Sequence, residues 1–300
     1  MLTIGQVERD TGLSKDTLRM WERRYGFPEP GRDAAGERLY DSGQVHKLRL
    51  IKRLIDAGNR PGKLVGQSVD ELDRLGADQP RVLANGASRE SLGEFIELLQ
   101  RREIDAFQQY LSQSLMRKGL EQFLLTTLVP LNISVGEAWA RGELATFDEH
   151  LYTEYVQTLL RTVIHGMPRR SELPRVLITT LPQELHALGL LMVESLLASE
   201  GIQCVSLGTQ TPLQDLLTAA EAHRADIVAL SFSSSFPTRA AATAIASVRR
   251  ELAPTTSLWV GGGLTGRLKH LPDGVTCLPQ LEQLIPAVNE WKVARRSAIV

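Results

Sequence analysis

Apolar positions recur along the chain in three regimes. Over the first 54 residues the spacing is three or four: Ile4 and Val7, Leu18 and Trp21, then Val45, Leu48, Ile51 and Leu54. That period belongs to short amphipathic helices. Thr3 and Ser14 stand where N-caps belong, and Thr11-Gly12-Leu13 supplies the turn between the first two helices. With Leu18 and Trp21 facing inward, Lys15, Thr17, Arg19 and Arg23 face outward on the second helix. Tyr25-Gly26-Phe27-Pro28 ends that helix, and Gly31 to Tyr40 predicts a β-hairpin wing turning near Ala35-Gly36. Two short helices joined by a glycine turn form a helix-turn-helix, whose second helix reads base edges in the major groove.

After Asn59-Arg60-Pro61-Gly62-Lys63 the periodicity fades through about Ser88, and Pro80, Gly86 and scattered charges predict a linker there. Helical spacing returns from Ser91 to His165. Its stripes are Leu92, Phe95, Ile96 and Leu99; Ile104, Phe107, Leu111 and Leu115; Phe123 to Val135, interrupted by Pro130; and Phe147, Leu151, Tyr155 and Leu159. Four stripes predict a small bundle. Beyond it the pattern changes to short β-rich runs alternating with helices: Arg175 to Ile178, a helix over Leu190 to Ser199, then strands at Asp226 to Leu230 and Ser257 to Val260. The fold class is therefore multidomain, α and α/β. A winged helix-turn-helix occupies residues 1–75, a four-helix bundle 88–168 and a Rossmann-like α/β domain 173–296.

Bulk properties refine this division. The formal net charge is only −1, yet residues 1–63 hold 13 lysines and arginines against 9 acids, while the rest hold 21 against 26. The basic excess lies at the DNA-reading end. Cys204 and Cys277, far apart and in or beside predicted strands, suit reduced thiols better than a disulfide. With no signal peptide and no uninterrupted apolar span of membrane length, the expectation is a soluble, cytoplasmic protein that does not engage a membrane.

Candidate chemistry concentrates in Thr179-Thr180-Leu181-Pro182-Gln183-Glu184-Leu185-His186-Ala187-Leu188-Gly189, between a predicted strand and a predicted helix. Loops at the carboxyl ends of strands are where open α/β sheets bind ligands. Glu184, two positions before His186, is placed to accept one ring N–H and leave the other nitrogen as a donor to a metal. Forty-one residues separate Gly189 from Ser231 in Ser231-Phe232-Ser233, and twenty-seven separate Ser233 from Gly261-Gly262-Gly263. Each small-residue site follows a strand, so all three fall on one sheet edge. Gly261 to Gly266 also matches G-x-G-x-x-G, but at the end of the α/β region, where it is weak as a nucleotide fingerprint. Ser233-Ser234-Ser235 has no nucleophile elbow, and no Walker loop or zinc spacing occurs.

This spacing resembles the cobalamin-binding domain of methionine synthase and the corrinoid mutases: acidic residue, x, His, x, x, Gly, then Ser-x-Leu, then Gly-Gly. Glu184 stands where the commonest form has Asp, and Ser233 where it has Leu. The resemblance implies that His186 ligates cobalt from below. It also implies that the nucleotide tail enters a slot cleared by Gly189, Ser231, Ser233, Gly262 and Gly263. The run Thr17 to Gly26 with Arg38-Leu39-Tyr40-Asp41 resembles the MerR regulators, which implies that Arg19, Arg38 and Tyr40 are on or near DNA.

Trp139, followed ten residues later by Glu149-His150, resembles the CarH/LitR photoreceptor branch, in the same domain order. It implies that Trp139, Glu149 and His150 line the pocket of the upper adenosyl group. Where well-known light sensors carry a second cobalt-ligating histidine after the tryptophan, this chain has Ala140. The expectation is a non-enzymatic repressor. Bound to adenosylcobalamin it assembles on operator double-stranded DNA, as a homotetramer in the dark, and light releases it. The competing readings are a corrinoid carrier of a methyltransferase or mutase system, a cobalamin sensor without a light response, and a regulator without cofactor.

Overall fold

A computed structural model describes residues 1–56, 59–77, 89–168 and 172–297. The expected linker residues 78–88 lie outside these. The chain divides into two compact units, residues 1–107 with 129–151, and residues 108–128 with 152–300. The helical region expected as a separate bundle is thus shared between them.

The first unit opens with β1 (Leu2–Thr3), α1 (Ile4–Thr11) and α2 (Lys15–Tyr25). Thr3 caps α1 through a full capping box with Gln6, Ser14 accepts the Thr17 N–H at the start of α2, and Gly12 turns the chain at φ 69°. The wing pairs β2 (Gly31–Arg32) with β3 (Arg38–Tyr40), and β1 joins the other edge of β3 to give the order β1-β3-β2. Gly36, at φ 81°, takes the tight position in the hairpin turn. Next come α3 (Ser42–Asp56), α4 (Pro61–Leu64) and α5 (Val69–Ala77). Leu64, Val65 and Leu72 are buried with Val7, Leu18, Trp21, Leu48 and Ile51 in one core. Residues 61–77 are therefore the last layer of the head and not a linker. Their polar residues form the outer face of helices that the sequence pattern hid.

α6 (Arg89–Arg101), the start of α7 (Ile104–Lys118) and α9 (Val129–Ala140) complete this unit with the start of α10 (Thr146–Gly166). Phe95 meets Phe107 edge-on at 6.1 Å, and α9 packs on both α6 and α3. Between α7 and α9 lie α8 (Leu120–Phe123) and a π-helical turn, Leu124–Leu128. Pro130 is the second residue after that turn. Having no N–H to give, proline fits a wider turn better than a regular one. The stripe expected on α10 is displaced by one position, since Tyr152, Val156 and Leu160 are buried and Phe147 is 55% exposed. The run Leu120–Ala140 is long and apolar enough to cross a membrane, but half of it is buried within the protein.

The second unit is built on a five-stranded parallel sheet of β4 (Glu172–Thr179), β5 (Ile202–Ser206), β6 (Ile227–Ser231), β7 (Ser257–Gly261) and β8 (Val275–Leu278). The strand order is β5-β4-β6-β7-β8. Leu177, Val228, Leu230, Leu258 and Val260 pack one face against α12 (Leu213–Ala222) and α13 (Thr238–Glu251). Alternation turns Val176, Ile178, Ile227 and Trp259 to the opposite face, where α11 (Leu188–Ser199) and α14 (Leu284–Ser297) contact β4. Cys204 and Cys277 are free thiols within β5 and β8. Chain order reverses between β4 and β6, and a doubly wound sheet opens a crevice at such a point, at the carboxyl ends of its strands.

Candidate functional site

The loop after β4 lies at that crevice, and its shape follows from threonine chemistry. Thr179 Oγ1 meets Thr211 Oγ1 at 2.6 Å, Thr180 Oγ1 donates to the Glu184 carbonyl at 2.7 Å, and the Gln210 N–H donates to Thr180 Oγ1 at 2.9 Å. Gln183 takes a left-handed φ of 75°, which turns the following residue inward. Glu184 is consequently buried while His186 keeps 64% of its side chain in solvent.

Every oxygen of Glu184 is engaged. Oε1 lies 2.6 Å from His186 Nδ1 and accepts the His186 backbone N–H at 3.1 Å. Oε2 accepts both the N–H and the hydroxyl of Ser233, each at 2.8 Å. Burial alone would push the carboxyl upward. The His186 and Ser233 donors outweigh it and hold Glu184 below the ordinary carboxylate range. An ionised Glu184 keeps the proton on His186 Nδ1, so the lone pair sits on Nε2, in the exposed part of the ring.

Among the described residues no group of three or more His, Cys, Asp or Glu side chains is arranged for a metal. A single exposed imidazole held at Nδ1 by Glu184 suits a metal whose other ligands arrive with it, as in a tetrapyrrole. In that sense the residues present fit a corrin cobalt approached from below.

The glycines sit where neighbouring loops approach closely. A Cβ on Gly262, whose φ is 97°, would stand 2.2 Å from the Phe232 carbonyl oxygen. One on Gly189 would meet Ser231 Oγ at 2.8 Å, and one on Gly263 would meet Ser234 at 3.2 Å. What fills those positions is neighbouring protein. Gly262 lets the β7 loop lie against the β6 loop, and that contact fixes the backbone carrying Ser233. Gly261 to Gly266 leads into a 3-10 turn at Thr265–Arg267, not the helix a nucleotide fingerprint requires.

In the head, α2 presents Arg19 and Arg23 to solvent, with Arg19 3.4 Å from Asp16. Lys15 is exposed beside Glu8 at 3.6 Å, and Thr17 shares a 2.9 Å hydrogen bond with the Ser14 hydroxyl. Arg38 reaches back from the wing to Glu22, its Nε donating at 2.8 Å, so a carboxylate on the reading helix sets the wing's angle. Tyr40, expected on or near DNA, does not reach the surface. Its ring is fully buried in the head core, and among the described residues its hydroxyl has no hydrogen-bond partner.

Trp139, Glu149 and His150 belong to the first unit, and the Glu184–His186 site to the second. Glu149 Oε2 lies 3.7 Å from His150 Nε2, with His150 largely exposed. Ala140 is buried and brings no donor. Sequence reasoning missed Asp10, Arg49 and Thr146, which gather around the Trp139 indole, because no local spacing links residues so far apart.

Comparisons with known proteins match three successive segments of the chain. Residues 2–63 match the model of the MerR HTH family regulatory protein, and residues 91–164 and 174–275 each match a B12 binding domain model. The chain is 31% identical over 259 residues to the HTH-type transcriptional repressor CarH of Myxococcus xanthus, covering 84% of this chain and 85% of that protein. It is 28% identical over 297 residues to the HTH-type transcriptional repressor CarA of the same organism, covering 98% of each. Among solved structures, the monomethylamine corrinoid protein of Methanosarcina barkeri is similar at a TM-score of 0.52 and 12% identity, over 68% of this chain and 99% of that one. At that identity the likeness is one of fold.

Proposed function

We propose, from the premise that the chain belongs to the CarH-like family of cobalamin-dependent MerR-type transcription regulators, that it represses its operator when adenosylcobalamin is bound, with His186 as the lower axial ligand of cobalt. It is a regulator and not an enzyme, and its MerR head is a DNA-binding module. The observation that carries the proposal is the buried Glu184 carboxylate, 2.6 Å from His186 Nδ1 and anchored by two Ser233 donors, beside an exposed imidazole at the strand-order reversal.

When bound, adenosylcobalamin supplies a cobalt–carbon bond that light can break. This chain's own residues do the rest. Glu184 orients the imidazole and fixes its tautomer. Gly189, Ser231, Ser233, Gly262 and Gly263 shape the loops beside the cofactor. Trp139, Glu149 and His150 are assigned to the side of the upper ligand. Lys15, Thr17, Arg19, Arg23 and Arg38 meet the duplex, and Tyr40 supports the wing from beneath. Assembly into a homotetramer in the dark places several heads on repeated half-sites. The protein works in the cytoplasm, where its DNA is, and does not engage a membrane.

A second reading is favoured by one residue. Ala140, buried and without a donor, leaves no second histidine at that position to take over the metal once the upper ligand has gone. In this reading cobalamin occupancy, not light, is the signal. Adding adenosylcobalamin in darkness, recording absorption and elution, then repeating after green light separates the two. The light-responsive reading expects assembly in the dark and dissociation after illumination. Assembly that persists unchanged supports occupancy sensing, and no uptake at all contradicts both.

A further inference from the structure

The Trp139 indole is held by the DNA-reading head. Arg49 of α3 forms a two-pronged ion pair with Asp10 of α1, at 2.8 Å through Nε and 2.7 Å through a terminal nitrogen. These side chains keep only 14% and 10% of their surface in solvent. Both reach Thr146, the first residue of α10. Its hydroxyl oxygen lies 3.3 Å from the Arg49 guanidinium and 3.4 Å from Asp10 Oδ1. The same oxygen accepts the Trp139 Nε1–H at 3.4 Å, and the Arg49 guanidinium lies over the indole, 5.4 Å from its centre. One turn before Arg49, His46 lies where a Cβ on Gly142 would be only 2.8 Å from its ring, so the connection between α9 and α10 fits closely against α3.

Neither half of this cluster is explained by the head alone. The Asp10–Arg49 pair bridges α1 and α3, which the apolar core already joins. Its further contacts go to a threonine and a tryptophan outside the helix-turn-helix, and they fix the indole at both its N–H and one face.

We propose that Asp10, Arg49 and Thr146 form a latch that captures Trp139 in the cofactor-free protein, so that one indole is shared between the DNA-reading head and the cofactor. This rests on the reading above that Trp139 serves the upper ligand. An indole that turns to cover a cofactor group gives up its bond to Thr146 and its place beneath Arg49. Contacts made only in the cofactor-free pose oppose binding, and by linkage the cofactor opposes those contacts equally. Trp139 thereby couples the head to cofactor binding, and Arg49 and Thr146 are positioning residues for its indole.

The test uses the full chain. Thr146→Val keeps the head's own ion pair and removes the shared hydroxyl. Arg49→Lys keeps the charge but loses the planar fork that grips Asp10 and covers the ring. In cofactor-free protein the Trp139 indole N–H resonance, identified by its loss in Trp139→Phe, is expected to shift in both variants. Both are expected to bind adenosylcobalamin in the dark about 5-fold or more tightly, the low end of ordinary coupling, and Trp139→Ala is expected to erase that gain. Hydrogen exchange in α1 and α3 is expected to rise on adding adenosylcobalamin to the wild type and to be already raised in Thr146→Val. If Trp139→Ala weakens cofactor binding while Thr146→Val leaves it unchanged or weaker, the latch is overturned and the cofactor role of Trp139 stands. If Trp139→Ala leaves affinity unchanged in the Thr146→Val background, where no latch is left to offset the lost cover, that underlying role is overturned and the latch with it.

Discussion

Glu184 illustrates how a single side chain acquires its state from several partners. Burial disfavours its charge, yet the donors from His186 and Ser233 win and depress its pKa. A group with a depressed folded pKa contributes stability that is complete above the ordinary carboxylate range and lost as pH falls through the lowered value. Acidification through that window is therefore expected to loosen the β4 loop and weaken cobalamin binding together, measured by titrating the cofactor at stepped pH. Glu184→Gln is expected to remove the carboxylate's share of that loss and no more, because an imidazole must still be deprotonated to ligate a metal. Affinity at neutral pH is expected to fall about 10–100-fold, the usual cost of removing a partner that orients a metal ligand. The acid–x–His spacing made this pair legible in the sequence. Ser233 as the second anchor was not, because 49 residues and a strand crossing separate it from Glu184. The glycines were legible as a motif, while what each one approaches is decided by the neighbouring loop.

At the scale of elements, the helix-turn-helix, the wing and the three central strands of the sheet follow from period, caps and turn residues. Other elements did not. α4 and α5 carry so many polar residues that Leu64, Val65 and Leu72 stood out too little, yet these three side chains close the head core. Leu72→Ala is expected to destabilise the head by about 2–5 kcal/mol, the range for emptying a leucine site in a packed core. Thermal unfolding of an isolated 1–77 fragment and its variant measures this. A change near zero would return the segment to the status of linker. On α10 the expected stripe was one position off because Leu151, Tyr155 and Leu159 are as apolar as the residues actually buried, Tyr152, Val156 and Leu160. Where two adjacent lines of a helix are both apolar, periodicity cannot choose between them.

For the whole molecule, the basic head and the acidic remainder divide the work between phosphate attraction and cofactor sensing. A small head meeting one half-site binds weakly, and joining several heads raises apparent affinity on the order of 10²–10⁴-fold when the geometry permits. Operator binding is therefore expected to follow assembly: steep in protein concentration with adenosylcobalamin in the dark, shallow and salt-sensitive without it. Electrophoretic mobility shifts with operator selected from random-sequence DNA measure both curves. Identical curves with and without cofactor would separate DNA binding from sensing. His186→Ala is expected to keep the shallow curve and lose the steep one, because its folded head is intact while its cofactor ligand is gone.

The cofactor-dependent expectations rest on which nitrogen lies beneath the cobalt. Protein labelled uniformly with ¹⁵N and loaded with unlabelled cob(II)alamin answers this by electron paramagnetic resonance, because the axial nitrogen splits each cobalt hyperfine line. A ¹⁵N donor gives doublets and a ¹⁴N donor gives triplets. Doublets that vanish in His186→Ala are the expected result. Triplets, which would leave the cofactor's own benzimidazole on the metal, would contradict the account.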